Sequence, residues 1–213
     1  MDGYFEDTVR HLVERIIGLQ KKTSEKWRSY CSRDGLKLFN QKSTKVIHLN
    51  TDEKLLILSY LEFLNNESVT DMFEEIGDRY VVVSRVKNRN SIEEKIEDYC
   101  RYRAERGEVP VNKCLNDLFG VRIILDCGSI DVSDIEGIIA PFGSSVMLEV
   151  KNDLRPNNLK YLAYHIYFKE SNSDFKWELQ IWKKEDERSN QESHKTHRYK
   201  YRMWESKLGK EES

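Results

Sequence analysis

The amino-acid sequence predicts an α+β protein with a helical N-terminal extension. Residues 3–32 repeat apolar side chains at a period near 3.6, which is typical of an amphipathic helix. From residue 80 onward, short runs rich in valine, isoleucine and aromatic residues favour β-strands. We therefore predict an extension over residues 1–77 that packs on a core over residues 78–213, and this core ends in a basic helix.

The order of the elements follows from periodicity and from turn residues. Five segments have the pattern of strands: residues 80–87, 120–125, 145–150, 161–168 and 177–182. Helices are expected over residues 51–77, with an interruption at Asn65-Asn66, and over residues 92–106 and 130–140. Ser91 and Glu94 have the spacing of a capping box, which predicts the start of the second of these helices. The polar residues 33–50 and 151–160 are predicted to form loops.

Composition excludes several classes of protein. The formal net charge is −2, which argues against a chain that coats nucleic acid by bulk attraction but leaves room for a local basic face. No apolar run approaches the roughly 20 residues of a membrane span, and no signal-peptide pattern is present, so we expect a cytoplasmic protein without a membrane partner. The four cysteines are dispersed and lack the spacing of zinc ligands, which predicts reduced thiols.

One charged residue interrupts the most apolar strand. Arg122 lies inside the run over residues 120–125, and burying its charge without a partner would cost several kcal/mol. Arg122 is therefore expected either to pair with an acid or to line a cleft in which a bound anion supplies the charge. Asp117 stands just before this strand, and Gly120 lies where the backbone could bend or admit a large group.

Other strands also carry polar groups on a single face. Alternation puts Arg85 and Lys87 on one side of the first strand and Glu178 and Gln180 on one side of the last. Lys95 lies one turn into a helix whose N-terminus attracts anions. The carboxylates of Asp117 and Glu178, several cations and the aromatic ring of Tyr161 predict a site for a polyphosphate and a divalent metal. The alternative is that these residues have no ligand: Arg85 and Lys87 would lie on an exposed strand edge, and Lys95 would pair with a neighbouring glutamate.

Four motifs, in this order, resemble the synthetase domain of the RelA/SpoT family, the pyrophosphokinases that make alarmones. They are Arg85-x-Lys87-x-x-x-Ser91-x-x-x-Lys95, Asp117-x-x-Gly120-x-Arg122, Tyr161-x-x-x-His165 and Glu178-x-Gln180-Ile181. The resemblance covers about residues 80–201. It implies a mixed β-sheet flanked by helices, related to the nucleotidyltransferases.

The resemblance also implies a reaction and roles for individual residues. Members of the family move the β,γ-pyrophosphate of ATP to a ribose 3′-hydroxyl and release AMP. Asp117 and Glu178 would hold Mg²⁺, and Glu178 would also help to deprotonate the hydroxyl. ATP and its phosphates would be bound by Arg85, Lys87, Ser91, Lys95 and Arg122. The acceptor would be bound by Tyr161, His165, Gln180 and Lys160, with Tyr161 stacking on the base and counted among the catalytic residues.

The chain departs from the usual alarmone-synthetase pattern at several positions. Lys160 replaces a glycine, Ala163 replaces a serine, and Trp182-Lys183 replaces an Arg-Thr pair. The histidine that precedes the terminal Tyr-Lys pair is either His194 or His197. The long N-terminal part and the short C-terminal part are similar to the toxic members of the family, which pyrophosphorylate the 3′-terminal adenosine of tRNA.

These features lead to three alternatives for function. The first is a toxin that modifies the 3′ end of tRNA, is neutralised by an antitoxin protein and contacts RNA through the cationic side of the first helix. The second is an alarmone synthetase with GDP or GTP as the acceptor. The third is a catalytically silent nucleotide-binding module. Asp117→Asn is expected to abolish transfer in either enzyme and to leave folding nearly unchanged.

Overall fold

A computed structural model describes residues 3–33, 43–49, 51–67, 69–70, 73, 81–126, 130–154, 160–171 and 174–193. The helices are α1 (Gly3–Arg33), α2 (Thr44–Leu49), α3 (Thr51–Asn66), α4 (Arg89–Arg101), α5 (Val111–Cys114) and α6 (Val132–Ile139). The strands are β1 (Val81–Val86), β2 (Phe119–Leu125), β3 (Val146–Leu154), β4 (Lys160–Phe168) and β5 (Trp177–Lys183). Residues 187–193 are also helical. Within these ranges, every helix is too short or too polar to cross a membrane.

The five strands form one sheet in the order β1-β2-β5-β4-β3. Strands β2 and β5 are parallel, and the other neighbours are antiparallel. A parallel pair requires a long crossover, and here α6, β3 and β4 lie between the two strands in sequence. The predicted α+β class and mixed sheet are confirmed.

The two faces of the sheet differ in polarity. One face is apolar and buried, with Phe119, Val121, Ile123, Leu179 and Ile181 at 1% exposure or less. These side chains belong to one hydrophobic cluster with buried residues of α1, α3 and α6. Since side chains alternate along a strand, the residues between them point to the opposite, polar face.

Helix α1 covers the apolar face. Its buried side chains include Val9, Leu12, Val13 and Ile16. Gln20 is also buried, and its Nε2 donates to the carbonyl oxygens of Phe168 at 2.7 Å and Phe175 at 3.1 Å. Because these carbonyls lie at the end of β4 and just before β5, the amide ties α1 to the sheet. A domain boundary near residue 77 stays a prediction, and the hydrophobic cluster spans it.

Two of the predicted loops contain regular structure. Residues 44–49 form α2, where the buried Thr44 donates its hydroxyl hydrogen to the carbonyl of Val109 at 2.7 Å. Strand β3 continues to Leu154, although a loop was predicted from residue 151, because it pairs with β4 along its length and Leu154 lies opposite Lys160. Polar composition predicted both loops, but it contains no information on the burial of Thr44 or on the pairing of residues 151–154 with β4.

The predicted capping box of α4 was wrong. Asn88 is the N-cap, and its Oδ1 accepts a hydrogen bond from the backbone N–H of Ser91 at 2.8 Å. Asparagine caps as well as serine, so the helix starts three residues earlier than expected. It also ends earlier, at Arg101, and the chain then turns through Arg106 and Gly107 with φ of 46° and 82°.

Candidate active site

The polar face of the sheet brings three of the predicted motifs together. In the parallel pair, Glu178 lies opposite Gly120 and Gln180 lies opposite Arg122. His165 of β4 lies opposite Gln180 on its other side. The face predicted for Glu178 and Gln180 is therefore the one that also carries Arg122 and His165. A Cβ at Gly120 would make ordinary contact with Glu178, 3.9 Å from Oε2, so packing does not require a glycine there.

Glu178 lies in the middle of this face and is 5% exposed. Its Oε1 is 2.6 Å from Nδ1 of His165, and its Oε2 accepts from Nε2 of Gln180 at 2.7 Å. Burial raises the pKa of Glu178, but the hydrogen bonds and the electrostatic attraction of His165 outweigh burial, so this pKa lies below its ordinary range. Glu178 is thus a carboxylate at neutral pH and a weak base in this state.

Hydrogen bonds extend from Glu178 in both directions. A carboxylate only accepts, so Nδ1 of His165 donates to Glu178 at 2.6 Å. Nε2 of the same ring is 3.0 Å from the Tyr161 hydroxyl, in a hydrogen bond whose direction depends on the tautomer of His165. On the other side, Oε1 of Gln180 accepts from Nε and Nη2 of Arg122 at 3.0 and 2.8 Å. Five side chains on three neighbouring strands form this continuous row, which we call the polar row: Tyr161, His165, Glu178, Gln180 and Arg122.

The two ends of the polar row are packed against an aromatic ring. Cζ of Arg122 lies 3.6 Å from the ring centroid of Trp182, so this cation contacts an aromatic face as well as a neutral amide. The Tyr161 ring is 2% exposed and meets Trp182 edge-on, with centroids 6.3 Å apart. A base could stack on Tyr161 only after neighbouring groups move, so stacking stays a prediction.

Asp117 forms a second centre, where the first two motifs meet. Its Oδ1 accepts from Nζ of Lys95 at 2.9 Å, and its Oδ2 accepts from Nζ of Lys87. The lysine side chains are only 23% and 10% exposed. Burial raises the pKa of Asp117, but the two ammonium charges outweigh it and hold this pKa well below its usual range. Lys87 was expected on the face of β1, and it lies just past the end of that strand.

The other predicted site residues lie farther out. Arg85 is exposed on β1, opposite Gly120, in the same row across the sheet as Glu178. Ser91 lies in the first turn of α4. Lys160 is exposed at the start of β4, where its carbonyl accepts from the hydroxyl of Ser189. His194 and His197 are outside the described residues.

Sequence comparison identifies the family to which these centres belong. A family model described as a region found in RelA/SpoT proteins matches residues 84–204, more than half of the chain. The chain belongs to the RelA/SpoT family. Membership confirms the predicted enzyme class, a pyrophosphokinase that uses ATP. No curated protein matches the chain in sequence.

Solved structures similar to this RelA/SpoT protein include two small alarmone synthetases from Bacillus subtilis. Synthetase 1, bound to its product pppGpp, is 17% identical, with coverage of 74% of this chain and 95% of that chain and a TM-score of 0.29. Synthetase 2 is 18% identical, with coverage of 74% and 97% and a TM-score of 0.31. These TM-scores are low, and the family assignment rests on the sequence match.

Two carboxylates of this RelA/SpoT enzyme, Asp117 and Glu178, supply the type of oxygen ligand that Mg²⁺ binds. Asp117 and Glu178 are close enough for the charge of Asp117 to raise the pKa of Glu178, against the stronger effect of His165. Mg²⁺ usually takes one or two carboxylates and completes its shell with phosphates and water. In the described part of the chain, no group of three or more His, Cys, Asp or Glu side chains could hold a metal ion. Asp117 and Glu178 are ligands of the kind that Mg²⁺ takes, and a magnesium ion shared by this pair stays a prediction.

One hydrogen-bond partner in the RelA/SpoT site was not predicted. Tyr167 donates its hydroxyl hydrogen to Glu178, and burial together with the charges of Glu178 and Glu149 raises its pKa. Alternation from His165 could have placed Tyr167 on the polar face. Its contact with Glu178 depends on the pairing of β4 with β5, which motif spacing does not report.

Tyr161→Phe tests whether the hydroxyl or the ring of this tyrosine matters. The change removes the hydroxyl that hydrogen-bonds to Nε2 of His165, so we expect a stability loss of about 1 kcal/mol and a modest loss of transfer. Tyr161→Ala also removes the buried ring and should destabilise by about 3–5 kcal/mol with nearly complete loss of transfer. Urea unfolding and initial rates measure both effects, with Tyr102→Phe on the exposed end of α4 as the control. Equal losses of transfer in the two variants would assign the role to the hydroxyl.

Proposed function

We propose that this enzyme transfers the β,γ-pyrophosphate of ATP to the 3′-hydroxyl of the 3′-terminal adenosine of tRNA and thereby stops translation. One observation carries the transfer reaction: a buried carboxylate, Glu178, lies next to a second centre in which Asp117 is held between two lysines. Such a surface can align a polyphosphate and neutralise its charge, which is most of what phosphoryl-type transfer requires.

The donor side would be built from Arg85, Lys87, Lys95 and Arg122. The ammonium groups of Lys87 and Lys95 both pair with Asp117. Phosphate oxygens of ATP offer the same ammonium groups an alternative anion, so binding exchanges one partner for another with little unpaired charge at any stage. Asp117 and Glu178 would hold Mg²⁺, which neutralises the charge that develops on the phosphates.

The acceptor hydroxyl would lose its proton to Glu178. The 3′-oxygen bonds to the β-phosphorus of ATP as the bond from that phosphorus to the α,β-bridging oxygen breaks, and AMP leaves with that oxygen. Glu178 has several hydrogen-bond donors that lower its basicity. Release of at least one donor when the acceptor binds would raise the pKa of Glu178 and make it a better base.

The tRNA acceptor is supported chiefly by sequence departures from alarmone synthetases. Lys160 and Trp182 replace residues that are usual in those enzymes, and Lys160 is exposed at the start of β4. The first helix supports RNA binding less than its composition suggested. Lys26 pairs with Glu67, Arg28 pairs with Asp174, and α1 packs on the apolar face of the sheet.

GDP or GTP as the acceptor is the second candidate, because members of the family bind these nucleotides. It requires the same donor chemistry and differs only in what approaches Glu178. A tRNA-modifying enzyme would act in the cytoplasm and would need an antitoxin protein to protect its host, whereas an alarmone synthetase would not need the antitoxin.

Labelling separates these functions. The protein is incubated with Mg²⁺, γ-labelled ATP and one of deacylated tRNA, GDP or GTP. We expect label on tRNA, and none on tRNA whose terminal ribose has been oxidised by periodate, since that treatment destroys the 3′-hydroxyl. Label on guanosine nucleotides with tRNA untouched would identify an alarmone synthetase. Nucleotide binding without any labelled product would identify the protein as a catalytically silent nucleotide-binding module.

A further inference from the structure

Trp182 closes the polar row into a ring of contacts. It lies opposite Ile124 in the β2–β5 pair, and alternation along β5 puts it on the face of Glu178 and Gln180. The side chain is fully buried. Its indole contacts Arg122 and Tyr161, which are the two ends of the polar row.

The contact with Arg122 is a close cation–π contact. The 3.6 Å between Cζ and the ring centroid is well within the limit of about 6 Å for such an interaction. Gln180 accepts two hydrogen bonds from the same guanidinium group, so the cation is held by its edge and by an aromatic face. These two contacts restrain a long side chain before it meets an anion, which lowers the entropy lost on binding.

The contact with Tyr161 belongs to a small apolar cluster. Ile124, Tyr161, Ala163 and Trp182 form a buried group on the polar face that is separate from the main core. Trp182 is the largest member, so its volume sets how far the Tyr161 ring can move toward β5. A shift of that ring also moves the hydroxyl that hydrogen-bonds to His165.

We propose that Trp182 is a positioning residue that fixes Arg122 and Tyr161 together and so couples the donor side of the site to the acceptor side. This inference rests on the proposed function for the roles of Arg122 and Tyr161. The contacts themselves do not depend on it. Trp182 touches neither substrate in this scheme and acts through its two neighbours.

A double-mutant cycle tests whether Trp182 positions Arg122 on the donor side of the site. Binding of a non-hydrolysable ATP analogue with Mg²⁺ is measured by calorimetry for the full chain with Trp182→Leu, Arg122→Gln or both. Trp182→Leu is expected to weaken binding about 2- to 30-fold, the range of a cation–π contact. In the Arg122→Gln background, the same change should weaken binding less than 2-fold, because the cation it positions is absent. Additive effects overturn the proposal.

Steady-state kinetics test whether Trp182 also positions Tyr161 on the acceptor side of the site. Trp182→Leu should raise the KM for ATP and the KM for the acceptor by similar factors, whereas Arg122→Gln should raise the KM for ATP by a larger factor than the KM for the acceptor. Trp177→Leu is the matched control, because Trp177 is on the same strand, fully buried and on the apolar face. It should destabilise the protein and leave both KM values of the folded fraction unchanged. Equal KM changes in the two tryptophan variants would show a general packing effect and overturn the proposal.

Folding and function are kept apart by two further measurements. If Trp182→Leu does not fold, Trp182→Met replaces it in the cycle, because methionine adapts to an irregular space but has no aromatic ring, and additivity has the same meaning. If the unmodified chain fails to bind the analogue, the proposed function fails. The same cycle is then measured with the free energies of unfolding of the four proteins. A coupling energy of zero between Arg122 and Trp182 would overturn the inference.

Discussion

Asp117→Asn is expected to abolish pyrophosphate transfer and to destabilise the protein by about 3–5 kcal/mol. The sequence alone suggested that folding would be nearly unchanged. The structure gives the opposite expectation, because Asp117 balances two mostly buried ammonium groups, Lys87 and Lys95. The neutral amide would leave both charges uncompensated and close to each other. Urea unfolding at pH 7 and initial transfer rates measure the two effects.

A second substitution separates stability from catalysis at this centre. Asp117→Asn combined with Lys87→Gln removes one of the uncompensated charges, so it should recover part of the stability and none of the transfer. Asp98→Asn is the control, since its partner Arg103 is half-exposed and the pair should contribute about 1 kcal/mol or less. If Asp117→Asn lowers the free energy of unfolding by no more than Asp98→Asn, the ion pairs of Asp117 with Lys87 and Lys95 do not stabilise the fold.

The contribution of Asp117 also depends on pH. Its folded-state pKa lies well below the unfolded value, so its stabilising effect is complete above about pH 4 and is lost as pH falls toward the folded pKa. The difference in unfolding free energy between the unmodified protein and Asp117→Asn should therefore be constant from pH 5 to 8 and shrink in stronger acid.

Glu178→Gln is expected to lower kcat by about 10²- to 10⁴-fold with a stability loss of about 1 kcal/mol. The amide keeps the shape of the side chain but cannot accept the hydroxyl proton. It brings a new donor toward His165, and His165 can answer by changing tautomer, so that Nδ1 accepts and Nε2 donates to Tyr161. Single-turnover rates and urea unfolding measure the two quantities.

Glu149→Gln is the matched control for Glu178→Gln. Glu149 lies opposite His165 on the neighbouring strand and pairs with Lys151, outside the polar row. Its substitution should leave kcat within a few-fold, because it removes a charge from the same face without touching the proposed base. A large stability loss in Glu178→Gln would contradict the tautomer exchange, and unchanged kcat would remove Glu178 from the reaction.

Much of the fold could be predicted because its signals are local. Runs rich in β-branched and aromatic residues identified all five strands, and alternation put Glu178 and Gln180 on one face and Leu179 and Ile181 on the other, as observed. The motif that contains Asp117 and Arg122 was located by an apolar run with a single charge. Helix α1 was recognised from its period, but nothing in that period identified the apolar face of the sheet as its partner.

The contacts that define the site are between residues far apart in sequence. Lys87 and Lys95 were read as anion-binding residues, and their meeting with Asp117 requires β1, α4 and β2 to be in place. Arg122 was expected to need an acid or a bound anion, and the structure adds Gln180 and the Trp182 ring. Such contacts depend on strand order, which a period of two does not encode.

In this chain, residue pattern specifies which side chains share a face, since alternation and helical period are properties of the backbone over a few residues. Which charges neutralise one another, and whether Tyr161 lies open or buried, follows from the order β1-β2-β5-β4-β3 and the packing of Trp182 between the ends of the polar row. Electrostatic and packing energies act through space, so they are set when distant segments meet and not before.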